Sequence, residues 1–168
     1  MFAIVGLGNP GERYRDTRHN AGFHVIEYLA QHGAELAQQA RYAKRANFGG
    51  NPSWQNKFGC SFSRMRLGEH ESLLVLPQQY MNLSGEAASP LLKYFKVPLN
   101  ELVVVHDELD LEPGVLRVKK GGSAAGHNGV GDLISHLGSG DFFRVRVGIG
   151  HPQRSSTKVP ESEKIEQI

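Results

Sequence analysis

Two side chains in this sequence could form an acid–base pair. His19 stands in Thr17-Arg18-His19-Asn20-Ala21-Gly22, where a loop runs into a helix, so its ring can be both exposed and fixed. A histidine placed this way can serve as a general base when a carboxylate holds its other ring nitrogen. The plainer alternative is that His19 or Asn20 only caps the helix. Asp107 stands in Val105-His106-Asp107-Glu108-Leu109-Asp110, directly after a β-branched strand. Acids there often line a site at the carboxyl edge of a sheet. His, Asp and Glu are also metal-ligand types, but no H-x-x-x-H spacing supports them and one cysteine gives no thiolate cluster. Pairing Asp107 with His19 uses both residues more economically.

Amides and bases come next. Asn9 lies in Gly6-Leu7-Gly8-Asn9-Pro10-Gly11, a formal G-x-G-x-x-G after a strand. A dinucleotide site needs a helix to begin in that loop, with its N-terminus on the pyrophosphate. Pro10 removes an N–H there, and the helical period starts about ten residues later. The string therefore reads as a tight turn that holds Asn9 at the strand's end. Asn82, in Tyr80-Met81-Asn82-Leu83-Ser84-Gly85, could donate to an oxyanion or hold a water, beside an apolar platform of Tyr80 and Met81. The alternative is a plain helix start with Met81 and Leu83 inward and Ser84 as cap. A glycine-rich loop, Gly121 to Gly129, lacks the Gly-Lys-Ser/Thr of a Walker loop. With Lys119 and Lys120 before it and Arg144 and Arg146 after, it reads as a phosphate clamp or as a linker with solvated charges. No Gly-x-Ser-x-Gly elbow exists, and Cys60 lies in an ordinary alternating strand, so no nucleophile stands out.

These residues need a scaffold, and the hydropathy pattern supplies one. Apolar runs predict strands over residues 2–7 and 102–105, and alternation predicts strands over 115–119 and 143–149. Residues 58–66 and 72–76 read as a hairpin around Gly68-Glu69. Helical spacing predicts helices over about residues 20–31, 84–95 and 129–137, with a helix-like stretch over 35–46 and a loop at 49–52. Strand–helix alternation implies a single α/β domain over residues 1–168: a three-layer sandwich with a mixed, mainly parallel twisted sheet flanked by helices.

Composition fits that scaffold. The chain has 168 residues, 39% hydrophobic and 21% charged, too apolar for disorder. No apolar run approaches the ~20 residues of a membrane helix, and no signal segment opens the chain. A soluble cytosolic domain is expected. Net charge is only +2, but it is segregated. Residues 101–112 hold five acids and no Lys or Arg, while residues 113–159 hold seven Lys or Arg and two acids. An acidic island beside a basic stretch suits an active site next to a phosphate-binding surface.

Six strings, in order, resemble the bacterial-type peptidyl-tRNA hydrolase family. They are Ile4-Val-Gly-Leu-Gly-Asn-Pro-Gly11, Thr17-Arg-His-Asn-Ala-Gly22, Tyr80-Met-Asn-Leu-Ser-Gly85, His106-Asp-Glu-Leu-Asp110, Gly126-His-Asn-Gly129 and Arg144-Val-Arg-Val-Gly-Ile-Gly-His-Pro152. The resemblance implies a monomeric cytoplasmic α/β hydrolase that cleaves the ester of peptidyl-tRNA, recycles tRNA from stalled translation, and uses no metal or cofactor. It implies His19 as general base and Asp107 as its orienting acid. Asn9 would discriminate N-blocked from free substrates, and Asn82 and Asn128 would bind substrate and water near the oxyanion. Tyr14 and Tyr80 would meet the tRNA end, with Met81 beside them. Lys119 and Arg146 would grip the tRNA phosphate, with Lys120 and Arg144 as neighbours. The chain departs from the family at Ser123-Ala124-Ala125, where Gly-His-Gly is usual. Its C-terminal strand and helix read as incomplete after about residue 159, and residues 48–56 as a polar insertion. The alternative function is a non-catalytic RNA-binding module of the same fold, as in organelle intron splicing.

Overall fold

The apolar runs of the sequence become the centre of one sheet. The computed structural model describes residues 1–39, 52–67 and 70–151. In chain order the elements are β1 (Phe2–Gly6), α1 (Ala21–Gln39), β2 (Gln55–Lys57), β3 (Cys60–Leu67), β4 (His70–Pro77), α2 (Ser84–Tyr94), β5 (Leu102–Glu108), β6 (Leu116–Lys120), α3 (Asn128–Leu137) and β7 (Phe143–Gly148). The sheet order is β2-β3-β4-β1-β5-β7-β6. Strands β4, β1, β5 and β7 run parallel. The margins are antiparallel: β2 on β3, β3 on β4 and β6 on β7. The sheet is mixed, as expected, but its parallel character is confined to the four central strands. Only two residues join β3 to β4, too few for the crossover that parallel pairing requires.

Alternation along the central strands builds two apolar layers. On one face Ala3, Val5, Leu73, Val75, Leu102 and Val104 pack against Ala88 and Leu91 of α2 and Val130 and Leu133 of α3. On the other face Leu74 and Leu76, with Ile4 beside them, pack against Phe23, Ile26 and Ala30 of α1. Burial of these side chains is the main stabilising contribution, roughly 1.5–3 kcal/mol for each large one.

Three differences from the sequence reading have physical causes. Helix α1 runs on through the buried Gly33 to Gln39, despite a propensity cost of about 1 kcal/mol. The helix-like reading over 40–46 and the loop at 49–51 lie outside the described residues, as does the shortfall after residue 159. Strand β2 was not foreseen within the polar insertion. Its three residues are all exposed, and only the ladder to β3 makes them a strand. In β7 the alternation is inverted at its start, for Phe143 is exposed while Arg144 is buried.

Candidate active site

The site forms where β1 and β5 end and α1 begins. Helix α1 comes unusually close to both strands there. A Cβ on Gly22 would lie 2.4 Å from the Leu7 carbonyl oxygen and 2.5 Å from that of Val105. Two glycines of the Gly6–Gly11 string serve this packing: a Cβ on Gly6 would lie 2.4 Å from the Gly22 oxygen, and one on Gly8 2.7 Å from the Phe23 ring. The close approach brings the 3-10 turn Arg18–Asn20, with His19, onto the end of β5.

Strand β5 continues past its apolar run through His106 and Asp107. The Asp107 carboxylate is 4% exposed and bridges two rings. His19 Nδ1 donates to its Oδ2 at 2.7 Å, and His127 Nε2 donates to its Oδ1 at 2.8 Å. Burial by itself would raise the Asp107 pKa. Hydrogen bonds from His127 and His19, and the charge they can carry, outweigh it and hold the carboxyl well below the usual range. Asp107 is therefore an anion, and His19 must present Nδ1–H to it. That tautomer leaves the lone pair on Nε2, as a general base requires.

His127 is locked in the same way. Its Nδ1 accepts from the Val130 N–H and caps α3, so the proton is on Nε2, facing Asp107. The His106 ring lies edge-on to it, with centroids 4.7 Å apart. His106 donates from Nδ1 to the Asp107 carbonyl at 2.7 Å, and its Nε2 is buried without a hydrogen-bond partner. Burial first, then the charge of His127, pushes its pKa down to about 4.

The pair opens into a cleft of about 500 Å³. Asn9, Tyr14, His19, Met81, Asp107 and Asn128 all line it, as do His127 and the loop residues Ala125 and Gly126. Asn9 is held from three sides. Its N–H donates to Asn20 Oδ1 at 2.8 Å, and Asn20 Nδ2 donates back to its carbonyl at 2.9 Å. Asn20 is thus spent on the turn and does not cap α1. The Met81 N–H donates to Asn9 Oδ1 at 2.6 Å, so the Asn9 NH2 is the end left for a ligand. Also in the lining, His151 Nε2 meets Asp110 Oδ1 at 2.8 Å.

Other expected residues lie elsewhere. Asn82 and Tyr80 are exposed and outside the cleft lining. Ser84 does not cap α2. Its hydroxyl donates to the Met81 carbonyl, and Asp132 of α3 accepts the Gly85 and Glu86 N–H groups instead. Lys119 and Arg146 share one sheet face, because Arg117 pairs with Arg146 and Lys119 with Arg144 across β6 and β7. Arg146 is fixed by Glu108, at 2.9–3.0 Å. Lys120, on the other face of β6, is exposed beside Asp141 at 3.8 Å. Arg144 is a correction to the expected phosphate grip. It is 1% exposed, and its guanidinium donates to backbone carbonyls.

Two residues escaped the sequence reading. His127 looked like part of a flexible glycine loop, and only its place one residue before a helix hinted at a fixed ring. Arg117 is not singled out by the sequence motifs, although its two-residue spacing from Lys119 puts both on one face.

Residues 3–161 match the family model described as peptidyl-tRNA hydrolase. The chain belongs to the peptidyl-tRNA hydrolase family. The peptidyl-tRNA hydrolase of Shouchella clausii is 45% identical over 152 residues, covering 90% of this chain and 74% of the relative. That of Alkalilimnicola ehrlichii is 43% identical over 159 residues, covering 94% of this chain and 73% of the relative. Among solved structures, the peptidyl-tRNA hydrolase of Acinetobacter baumannii superposes with a TM-score of 0.77 at 36% identity, covering 99% of this chain and 80% of that one.

Proposed function

We propose that the cleft at His19 is where this chain carries out the reaction of its family, hydrolysis of the ester joining a peptide to tRNA. The observation that carries the reading is the buried Asp107 anion holding His19 Nδ1 at 2.7 Å at the base of a cleft walled by Asn9 and Asn128. Water attacks the ester carbonyl while His19 Nε2 takes its proton. The tetrahedral oxyanion collapses, and the ribose hydroxyl leaves with a proton returned from the imidazolium. Asp107 stabilises that imidazolium without accepting its proton. An ester has a good leaving group, so no covalent intermediate is needed. General base catalysis contributes about 10²–10⁴-fold, and an amide donor such as Asn128 aimed at the oxyanion a further ~10²–10³.

Cys60 is no rival nucleophile: burial pushes its thiol up to about 12. A role confined to RNA binding is not the one favoured, because the relatives that match are hydrolases. Lys119 and Arg146, joined by Arg117 and Lys120, would hold the tRNA phosphate through charge. Tyr14 in the cleft, Tyr80 beside it and Asn82 on the exposed turn would meet the acceptor end. We further propose a single-domain monomer working in the cytoplasm. Among the described residues no helix is long and apolar enough to cross a membrane.

Asn9 supplies the test of specificity. Its NH2 offers a donor, which a peptide carbonyl accepts but the ammonium of a free aminoacyl group cannot. With Asn9→Ala, kcat/KM for N-acetyl-aminoacyl-tRNA should fall about tenfold or more, the scale of one lost hydrogen bond. Free aminoacyl-tRNA should be affected far less. Equal losses on both substrates would remove Asn9 from discrimination.

A further inference from the structure

Arg144 is the largest fully buried side chain of the described residues, and no carboxylate is among its hydrogen-bond partners. An unmatched buried cation costs several kcal/mol, so its partners must matter. Nη1 donates to the Ser123 carbonyl at 2.6 Å, and Nη2 to those of Gly122 at 2.5 Å and Gly140 at 3.3 Å. One fork therefore clamps the loop leaving β6 to the loop entering β7. The guanidinium also lies 4.9 Å from the Phe142 ring.

The clamped loop needs such an anchor. Gly121, Gly122 and Gly126 have φ of 70°, 93° and 85°, and Ala125 is held at 48°. A left-handed alanine costs roughly 1–2 kcal/mol, which an unanchored loop would relax away. Only three residues separate the clamped Ser123 carbonyl from His127. Ala125, Gly126, His127 and Asn128 then form a wall of the cleft.

We propose that Arg144 is a positioning residue for hydrolysis: its guanidinium fixes residues 121–126 so that His127 meets Asp107 and Asn128 faces the substrate. This rests on the function proposed above. It gives Arg144 a task distinct from the phosphate contacts of Lys119 and Arg146, which share its sheet face.

Two variants test it. Arg144→Gln removes the three-carbonyl fork. Gly140→Ala leaves Arg144 in place but adds a Cβ 2.9 Å from the Gly122 oxygen and 3.0 Å from Nη2, which wedges the clamp apart. Wild type and both variants are assayed on N-acetyl-aminoacyl-tRNA over a salt series, and the His127 ring ¹⁵N signals are recorded. For Arg144→Gln, kcat should fall about tenfold to 10²-fold, the scale of an ångström misplacement, with KM within about threefold. The dependence of KM on salt should keep its slope, and the His127 signals should shift. Gly140→Ala should show the same pattern at smaller amplitude. A folded Arg144→Gln with kcat within twofold of wild type would overturn the proposal. So would a raised KM with unchanged kcat and a salt slope smaller by about one, the mark of a lost phosphate contact. If Arg144→Gln does not fold, Gly140→Ala decides, and unchanged kcat with unshifted His127 signals overturns the proposal. An inactive wild type would instead sink the function on which the proposal rests.

Discussion

The chemistry of this chain depends on one buried carboxylate with two ring N–H donors. Asp107 cannot be replaced by its amide without a mismatch, because an asparagine offers one acceptor and one donor where two ring N–H groups point inward. Asp107→Asn should therefore lower kcat by about 10²-fold or more and move the acidic limb of the pH–rate profile to lower pH. A profile that keeps its limb would break the pairing of His19 with Asp107. The sequence suggested this pair from residue types alone, across 88 positions. It could not suggest the third member. His127 is fixed by its cap to Val130 and by Asp107, and neither contact has a signature in the string Gly126-His127-Asn128. For Asn82 the type suits an oxyanion donor, and its turn leaves it exposed outside the cleft lining.

At the scale of elements, close packing delivers His19 to Asp107. Gly22 is the contact point of α1 with β1 and β5. Gly22→Ala should push the helix off the sheet, cost about 1–3 kcal/mol, and lower Tm by several degrees for a chain of this size. Because the 3-10 turn with His19 precedes that contact directly, kcat should fall even at temperatures where the variant is folded. Thermal unfolding and single-turnover hydrolysis together check this, and a destabilised variant with full kcat would show that the approach serves stability alone. The central strands were legible because runs such as Leu102-Val103-Val104-Val105 are apolar on both faces. Strand β2 was not, since Gln55-Asn56-Lys57 carries no apolar pattern and owes its form to β3. Period-two alternation also misassigned Arg144, because nothing in β7 itself reveals that residues 121–126 fold over that side chain.

The molecule as a whole carries the electrostatic cost of its site. The His106 ring protonates near its ordinary 6.5 in the unfolded chain but only near 4 when folded, because burial and then His127 oppose the charge. The unfolded state therefore binds more protons between these values, and stability falls as pH drops from 6.5 to 4, by up to about 3 kcal/mol. Asp107 acts in the same direction lower down. Its folded pKa is depressed, so the stability it lends above the ordinary carboxylate value is lost as pH falls through the folded one. Urea unfolding across pH 4–7 should show this loss, and His106→Gln should flatten it; an unchanged slope in that variant would remove His106 as its source. Charge segregation, the acidic island beside the basic stretch, was visible in the sequence. The folded chain turns it into a division of labour. Asp107 and Glu108 line the cleft, and Arg117, Lys119 and Arg146 share one face of the adjoining sheet edge. The most direct test of a general base at His19 is single-turnover hydrolysis of N-acetyl-aminoacyl-tRNA by wild type and by His19→Ala, with tRNA affinity measured alongside. The rate should fall by about 10²–10⁴-fold while tRNA affinity is largely retained. Hydrolysis by His19→Ala at the wild-type rate would contradict it.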